Sequence, residues 1–189
     1  KYYAPPSTWS DEKKRDSARA KIFSGEWYGA EKKDGYFAKL IKDEDGNILL
    51  YSRSRGVNGK FADKHEWVPH LQPFFDALPN GTCLLGELYF PSQPGSRNVT
   101  TIMGCLKEKA VARQEKGEKL HFYAFDILAC RNCSLIDVEA EARFNNIRIL
   151  FEDHLSMTTG KEYVSFAKYV RGADLNILLQ EILARGDAP

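Results

Sequence analysis

The sequence predicts an α+β fold. Two observations carry that reading: strand-like and helix-like segments are intermixed without a regular strand–helix repeat, and at least one pair of strands reads as an antiparallel hairpin. A doubly wound parallel sheet would need a helical crossover after nearly every strand, and the hairpin breaks that order.

Ser10-Asp11-Glu12 can cap a first helix running to about Phe23, with acids at its start and bases further along. An extended segment with Trp27 and Tyr28 follows, from Glu26 to Lys33. Tyr36 to Lys42 reads as a strand, closed by the turn Asp43-Glu44-Asp45-Gly46, and Asn47 to Ser54 as its return. Gly56 to Lys64 is a polar loop, and His70 to Leu78 a short amphipathic helix ended by Pro79-Asn80-Gly81. Thr82 to Phe90 is mostly apolar and therefore a central strand. Pro91 to Gly95 is a loop, Val99 to Glu115 one helix, and Leu120 to Leu128 a second strongly apolar strand. Asp137 to Phe151 is a helix, Tyr163 to Tyr169 a strand, and Ala173 to Ala184 an amphipathic helix.

The chain has 189 residues, 43% of them hydrophobic, enough for one sizeable buried core. With 27 basic and 26 acidic residues the net charge is +1, which excludes a polybasic tail protein and an acidic disordered one. No apolar run approaches the ~18–20 residues of a membrane span. The first residues carry no signal-peptide pattern, and without an initiator Met the chain reads as trimmed or partial. An intracellular compartment, cytoplasm or nucleoid, is expected, with Cys83, Cys105, Cys130 and Cys133 reduced. Cys130 and Cys133 have CxxC spacing, but no second pair completes a zinc site, so they read as ordinary thiols. The N-x-S/T triplets at Asn80, Asn98 and Asn132 read as chance.

Chemistry concentrates in four places. Lys32-Lys33-Asp34-Gly35 holds a lysine two residues before Asp-Gly, and a lysine amine can attack phosphorus or carbon. Free lysine must lose its proton first, which costs about 4.6 kcal/mol at neutral pH unless the site offsets it. Ser52-Arg53-Ser54-Arg55-Gly56 ends the return strand and offers planar cations suited to phosphate. Leu85-Gly86-Glu87-Leu88 puts a carboxylate in a central strand, where burial is costly without a ligand or partner. Phe122-Tyr123-Ala124-Phe125-Asp126 places aromatic rings in another.

Together these segments resemble motifs I, Ia, III and IIIa of the covalent nucleotidyltransferase superfamily, which holds the ATP-dependent DNA ligases, the RNA ligases and the mRNA capping enzymes. Lys32, Arg53, Glu87 and Phe125 are separated by 21, 34 and 38 residues, and this spacing looks like that of the DNA ligase branch. The resemblance covers nearly the whole chain from about Trp27. It implies a ligase-type nucleotidyltransferase (ATP-grasp-like) domain with mainly antiparallel sheets and flanking helices. It implies catalysis by Lys32, which would take AMP from ATP as a phosphoramidate and expel pyrophosphate. The AMP would pass to a 5′-phosphate at a nick, and a 3′-hydroxyl would displace it.

The same resemblance makes Glu31, Lys32, Arg53, Glu87 and Phe125 the nucleotide-binding residues: Arg53 for phosphate or ribose, Glu87 for the ribose hydroxyls, Phe125 for the adenine face. Asp34, Arg55 and Asp126 are secondary candidates, Arg55 competing with Arg53, and Asp126 holding a metal or a basic side chain. ATP and a divalent ion, Mg or Mn, are the expected cofactors, with no residue assigned to a metal. Nicked double-stranded DNA is the expected partner, with no membrane and a monomeric state. Roles in DNA replication, repair and recombination follow. An RNA ligase, a GTP-dependent capping guanylyltransferase, and a non-catalytic nucleotide- or DNA-binding relative are the alternatives.

Two departures stand out. The family often has arginine in the last position of KxDGxR, where this chain has Phe37, and motif III usually reads Asp-Gly-Glu, where this chain has Leu85-Gly86-Glu87. The chain also stops where motif IV is due. It is therefore expected to be a single, C-terminally incomplete adenylation domain over 1–189 without an OB-fold domain, weak or inactive alone. For DNA contact, Lys13, Lys14, Arg15, Arg19 and Lys21 form one basic set, and Lys107, Lys109, Arg113 and Lys116 another. Both are interrupted by acids and read first as solvated helix faces.

Overall fold

The computed structural model describes residues 12–53, 55–56, 59–93, 95–156 and 158–185. In chain order its elements are α1 (Glu12–Phe23), β1 (Tyr28–Gly29), β2 (Tyr36–Lys42), β3 (Ile48–Ser52), α2 (Gln72–Ala77), β4 (Thr82–Tyr89), α3 (Ser96–Met103), α4 (Lys107–Lys116), β5 (His121–Cys130), β6 (Cys133–Ser134), α5 (Ala140–Ile149), β7 (Val164–Phe166), β8 (Val170–Arg171) and α6 (Ala173–Ala184). The described residues fall into two compact units, 32–167 and 12–31 with 168–185.

The larger unit is built on a six-stranded sheet, ordered β3-β2-β4-β5-β6, with β7 also paired to β5. Every pairing is antiparallel except β5 with β7. The α+β expectation and its mainly antiparallel sheet are thus met. Alternation along the strands decides which face is buried. Ala38 and Leu40 on β2, Leu50 on β3, and Leu84 and Leu88 on β4 join Phe122 and Ile127 of β5 in one apolar cluster. Phe74 and Phe75 of α2, Val99, Ile102 and Met103 of α3, and Ile147 of α5 complete it. Phe74 sits at its centre, with ring centroids 6.0 Å from Phe122 and 5.7 Å from Phe151. Gly86 belongs to this buried alternation, and a Cβ there would lie 2.6 Å from the Phe122 ring. The glycine is therefore demanded by close packing under the strand.

The other face carries Phe37 opposite Glu87, and Glu87 opposite Tyr123. Along β5 the alternation is broken. Leu85 pairs with Asp126 and Gly86 with Ala124, which leaves Phe125 as the extra residue of a β-bulge. A bulge of this kind puts two successive side chains on one face, here Phe125 and Asp126.

Several boundaries differ from expectation. The helix expected over 99–115 is two helices, parted at Gly104–Leu106. Leu106 is extended (φ −65°, ψ 150°), and the Cys105 carbonyl accepts the Trp67 indole N–H at 2.9 Å instead of continuing a helix. The strand expected over 163–169 is only Val164–Phe166 in this sheet, and Val170–Arg171 pairs with β1 in the other unit. The helix expected over 70–78 begins as the 3₁₀ turn Pro69–Leu71, and α5 runs on into a π-helical turn, Leu150–His154. Cys130 and Cys133 face each other across a two-residue hairpin turn whose central residues, Arg131 and Asn132, have φ of 51° and 63°. That is the left-handed pair a tight hairpin needs, so the CxxC spacing here is turn geometry. All four cysteines are free thiols. Ser10, Asp11 and Ser54 lie outside the described residues.

The smaller unit comprises α1, the two-residue ladder of β1 with β8, and α6. Arg171 lies over the Tyr28 ring at 5.3 Å, and Glu31 accepts a hydrogen bond from Arg185 at 2.9 Å. Among the described residues no helix is long and apolar enough to cross a membrane.

Candidate active site

Strand direction gathers the site at one end of the larger sheet. β2 begins there just after Lys32-Lys33-Asp34-Gly35, β3 ends there just before Arg53, and antiparallel β4 delivers Glu87 to the same end. Lys32, Asp34, Gly35, Tyr36, Phe37, Ser52, Arg53, Glu87 and Ser96 line one open cavity of about 380 Å³. That volume lies within the usual range of small-molecule sites, roughly 300–1,000 Å³. Three of the residues expected from the sequence, Lys32, Arg53 and Glu87, therefore share one pocket with Asp34.

The loop carrying Lys32 has its register held by close contacts. A Cβ at Gly35 would lie 2.3 Å from the Leu88 carbonyl oxygen, so only glycine lets β2 begin this close to β4. The Asp34 carbonyl accepts the Gly95 N–H at 3.2 Å, which ties the loop to the start of α3. The two lysines are then told apart by their surroundings. Lys33 Nζ lies over the Tyr89 ring at 5.5 Å and the Tyr123 ring at 6.0 Å, whereas Lys32 is exposed and lines the cavity.

Glu87 is the electrostatic centre. Its Oε2 is buried and makes no hydrogen bond among the described residues. Burial pushes the carboxyl up from its ordinary range, Lys32 and Arg53 pull it back down, and Asp34 adds to the rise. A buried acceptor without a donor is costly, and a ligand hydroxyl would relieve that cost. Arg53 is exposed, and its guanidinium carbon lies 5.1 Å from the centroid of the Phe37 ring.

Phe125 is not among the residues that line the cavity. It stands behind Phe37, with ring centroids 6.3 Å apart and tilted by 49°. Arg55 turns elsewhere, over the Phe61 ring at 5.3 Å, which leaves Arg53 as the pocket's arginine. Asp126 holds a basic side chain, Arg143, which donates to it through Nε at 2.8 Å and Nη2 at 3.2 Å. Glu31 belongs to the smaller unit, where it is paired with Arg185. Tyr36, Ser52 and Ser96 were not foreseen as lining residues. Strand alternation could have suggested Ser52, while nothing in the sequence links Ser96 to Lys32.

Of the two basic sets, Lys107 pairs with Glu66 at 3.0 Å and Arg113 donates to the Thr101 carbonyl, so both are engaged within the fold. Lys13, Lys14, Arg15 and Arg19 have side chains outside the described set. Among the described residues no three His, Cys, Asp or Glu side chains converge as a metal cage. A divalent ion accompanying a nucleotide would take its ligands chiefly from the phosphates.

Residues 12–183 match the family described as ATP dependent DNA ligase domain. The chain belongs to that family. No curated protein matched the sequence. Membership in the ATP-dependent ligase family implies use of ATP, and the match spans both compact units. Lys32, Arg53 and Glu87 all lie within the matched residues.

Proposed function

We propose that this chain acts as one adenylation domain of an ATP-dependent DNA ligase, with Lys32 as its nucleophile. The observation that carries the reading is the convergence of Lys32, Arg53 and the unpartnered Glu87 carboxylate in one cavity, on a chain of this family. In this reading the neutral Lys32 amine forms a bond to the α-phosphorus of ATP as the bond to pyrophosphate breaks. Its second proton is lost to solvent, leaving AMP as a phosphoramidate. Arg53 offsets charge on the phosphate oxygens, the main electrostatic requirement of phosphoryl transfer. Glu87 accepts the ribose hydroxyls, and Phe125 packs against the base beside the ring of Phe37. AMP then passes to the 5′-phosphate of nicked duplex DNA, and the 3′-hydroxyl displaces it to seal the strand. A divalent ion supplies further charge neutralisation on the triphosphate, and the roles of these side chains do not depend on its position.

Phe37, in the place where the resemblance leads one to expect arginine, favours a second reading, a nucleotide-binding relative without catalysis. One experiment separates the two. The protein is incubated with ATP labelled at the α-phosphate, then denatured and washed. A covalent label, however small the labelled fraction, supports the enzyme; reversible ATP binding with no detectable label supports the binding module; neither sinks both.

A further inference from the structure

We infer that Phe37 is the positioning residue for Arg53, holding its guanidinium at the phosphate end of the cavity. This rests on the reading of the cavity as a nucleotide site. Arg53 is exposed at the end of an edge strand, with a long side chain that has many rotamers to lose. Among the described residues its guanidinium makes no hydrogen bond or ion pair; what it has is the face of Phe37 at 5.1 Å. The obvious alternative partner is close by. Glu87 stands directly opposite Phe37 across β2 and β4, the charge of Arg53 pulls its carboxyl pKa downward, and its Oε2 is buried and unbonded among the described residues.

An Arg53–Glu87 ion pair would satisfy both groups and engage the two polar side chains that a nucleotide would use. The ring prevents this by offering the guanidinium a flat surface that uses none of its N–H donors. The ring is itself braced by Phe125 at 6.3 Å, and Phe125 is aimed to that face by the bulge in β5. Phe37 thus keeps the donors of Arg53 free for phosphate and the carboxylate of Glu87 free for hydroxyls.

The test compares AMP with adenosine, two probes that differ only in the phosphate, by calorimetry on the whole chain. Phe37→Leu should weaken AMP binding about two- to fivefold, the range of a cation–π contact at an exposed site, and weaken adenosine binding by less. Phe37→Tyr, which keeps the ring, should retain AMP affinity, and Phe37→Met gives a second ringless variant should the leucine protein melt early. In an Arg53→Ala background, Phe37→Leu should cause no further loss. Equal losses for adenosine and AMP, or full additivity with Arg53→Ala, would overturn the inference. An unchanged AMP affinity in both ringless variants would overturn it as well. Failure of the wild-type chain to bind AMP at all would refute the reading of the site, and this inference with it.

Discussion

The carboxylate of Asp126 accepts two hydrogen bonds from the guanidinium of Arg143, one from Nε at 2.8 Å and one from Nη2 at 3.2 Å. Asp126 is the residue after the bulged Phe125, so this pair anchors the strand where its alternation breaks. Arg143 also donates to the Val138 carbonyl, which fixes the start of α5 against β5.

Removing that anchor should be felt as stability. The two side chains are 19% and 20% exposed, so the cost should fall below the ~3–5 kcal/mol of a fully buried pair. Arg143→Ala is expected to lower unfolding free energy by about 1–3 kcal/mol in urea titration, with Arg143→Lys recovering part of it. An unchanged denaturation midpoint would mean that the bulge is held by packing alone.

Glu87 should oppose folding at neutral pH. Its folded-state pKa is raised by burial, so over the window above the ordinary value of 4.5 the native state keeps a proton that the unfolded state has lost. Stability therefore falls as pH rises through that window, and the full cost is present above the raised value. Glu87→Gln should melt higher than wild type at pH 7–8, and the gain should disappear near pH 3, where both carboxyl states are neutral. The same change should weaken AMP binding by about 1 kcal/mol, because a neutral amide is a poorer acceptor for hydroxyls. A lower melting temperature for Glu87→Gln at neutral pH would contradict the assignment of a strained, ligand-awaiting carboxylate.

Phe125→Leu should reduce nucleotide affinity by about 1–3 kcal/mol, the range for stacking of a base on an aromatic ring. Leucine is chosen over alanine because truncating a packed phenylalanine can itself cost 3–5 kcal/mol of stability. Equal affinities for the two proteins, with both shown folded by thermal melting, would return Phe125 to the role of a brace for Phe37.

The strands of the larger sheet were legible because burial on one face writes a two-residue period into Tyr36–Lys42 and Thr82–Tyr89. Lys32, Arg53 and Glu87 were legible as a set because their separations match a known order of motifs. The break between α3 and α4 was not expected: α3 ends at Gly104, a common C-cap residue, and the Trp67 indole bonds the Cys105 carbonyl from 38 residues away in the chain. The bulge at Phe125 was also hidden. It exists only in the pairing of β5 with β4, and local sequence does not state a register. The same holds for the packing of Phe37, whose two ring neighbours, Arg53 and Phe125, are distant from it in sequence. A strand over Tyr163–Tyr169 was legible, but its end at Phe166 and its parallel pairing with β5 were not, because three residues carry too little period to show a direction.

Lys32, and not its neighbour, is the proposed nucleophile. Lys33 has its ammonium over two tyrosine rings, while Lys32 opens on the cavity. The decisive measurement is peptide mapping after incubation with α-labelled ATP and a divalent ion, run side by side on wild type, Lys32→Ala and Lys33→Ala. The expected result is a single labelled peptide, modified at Lys32 however small the labelled fraction, present in Lys33→Ala and absent from Lys32→Ala. A label on Lys33, or undiminished labelling of Lys32→Ala, would contradict it.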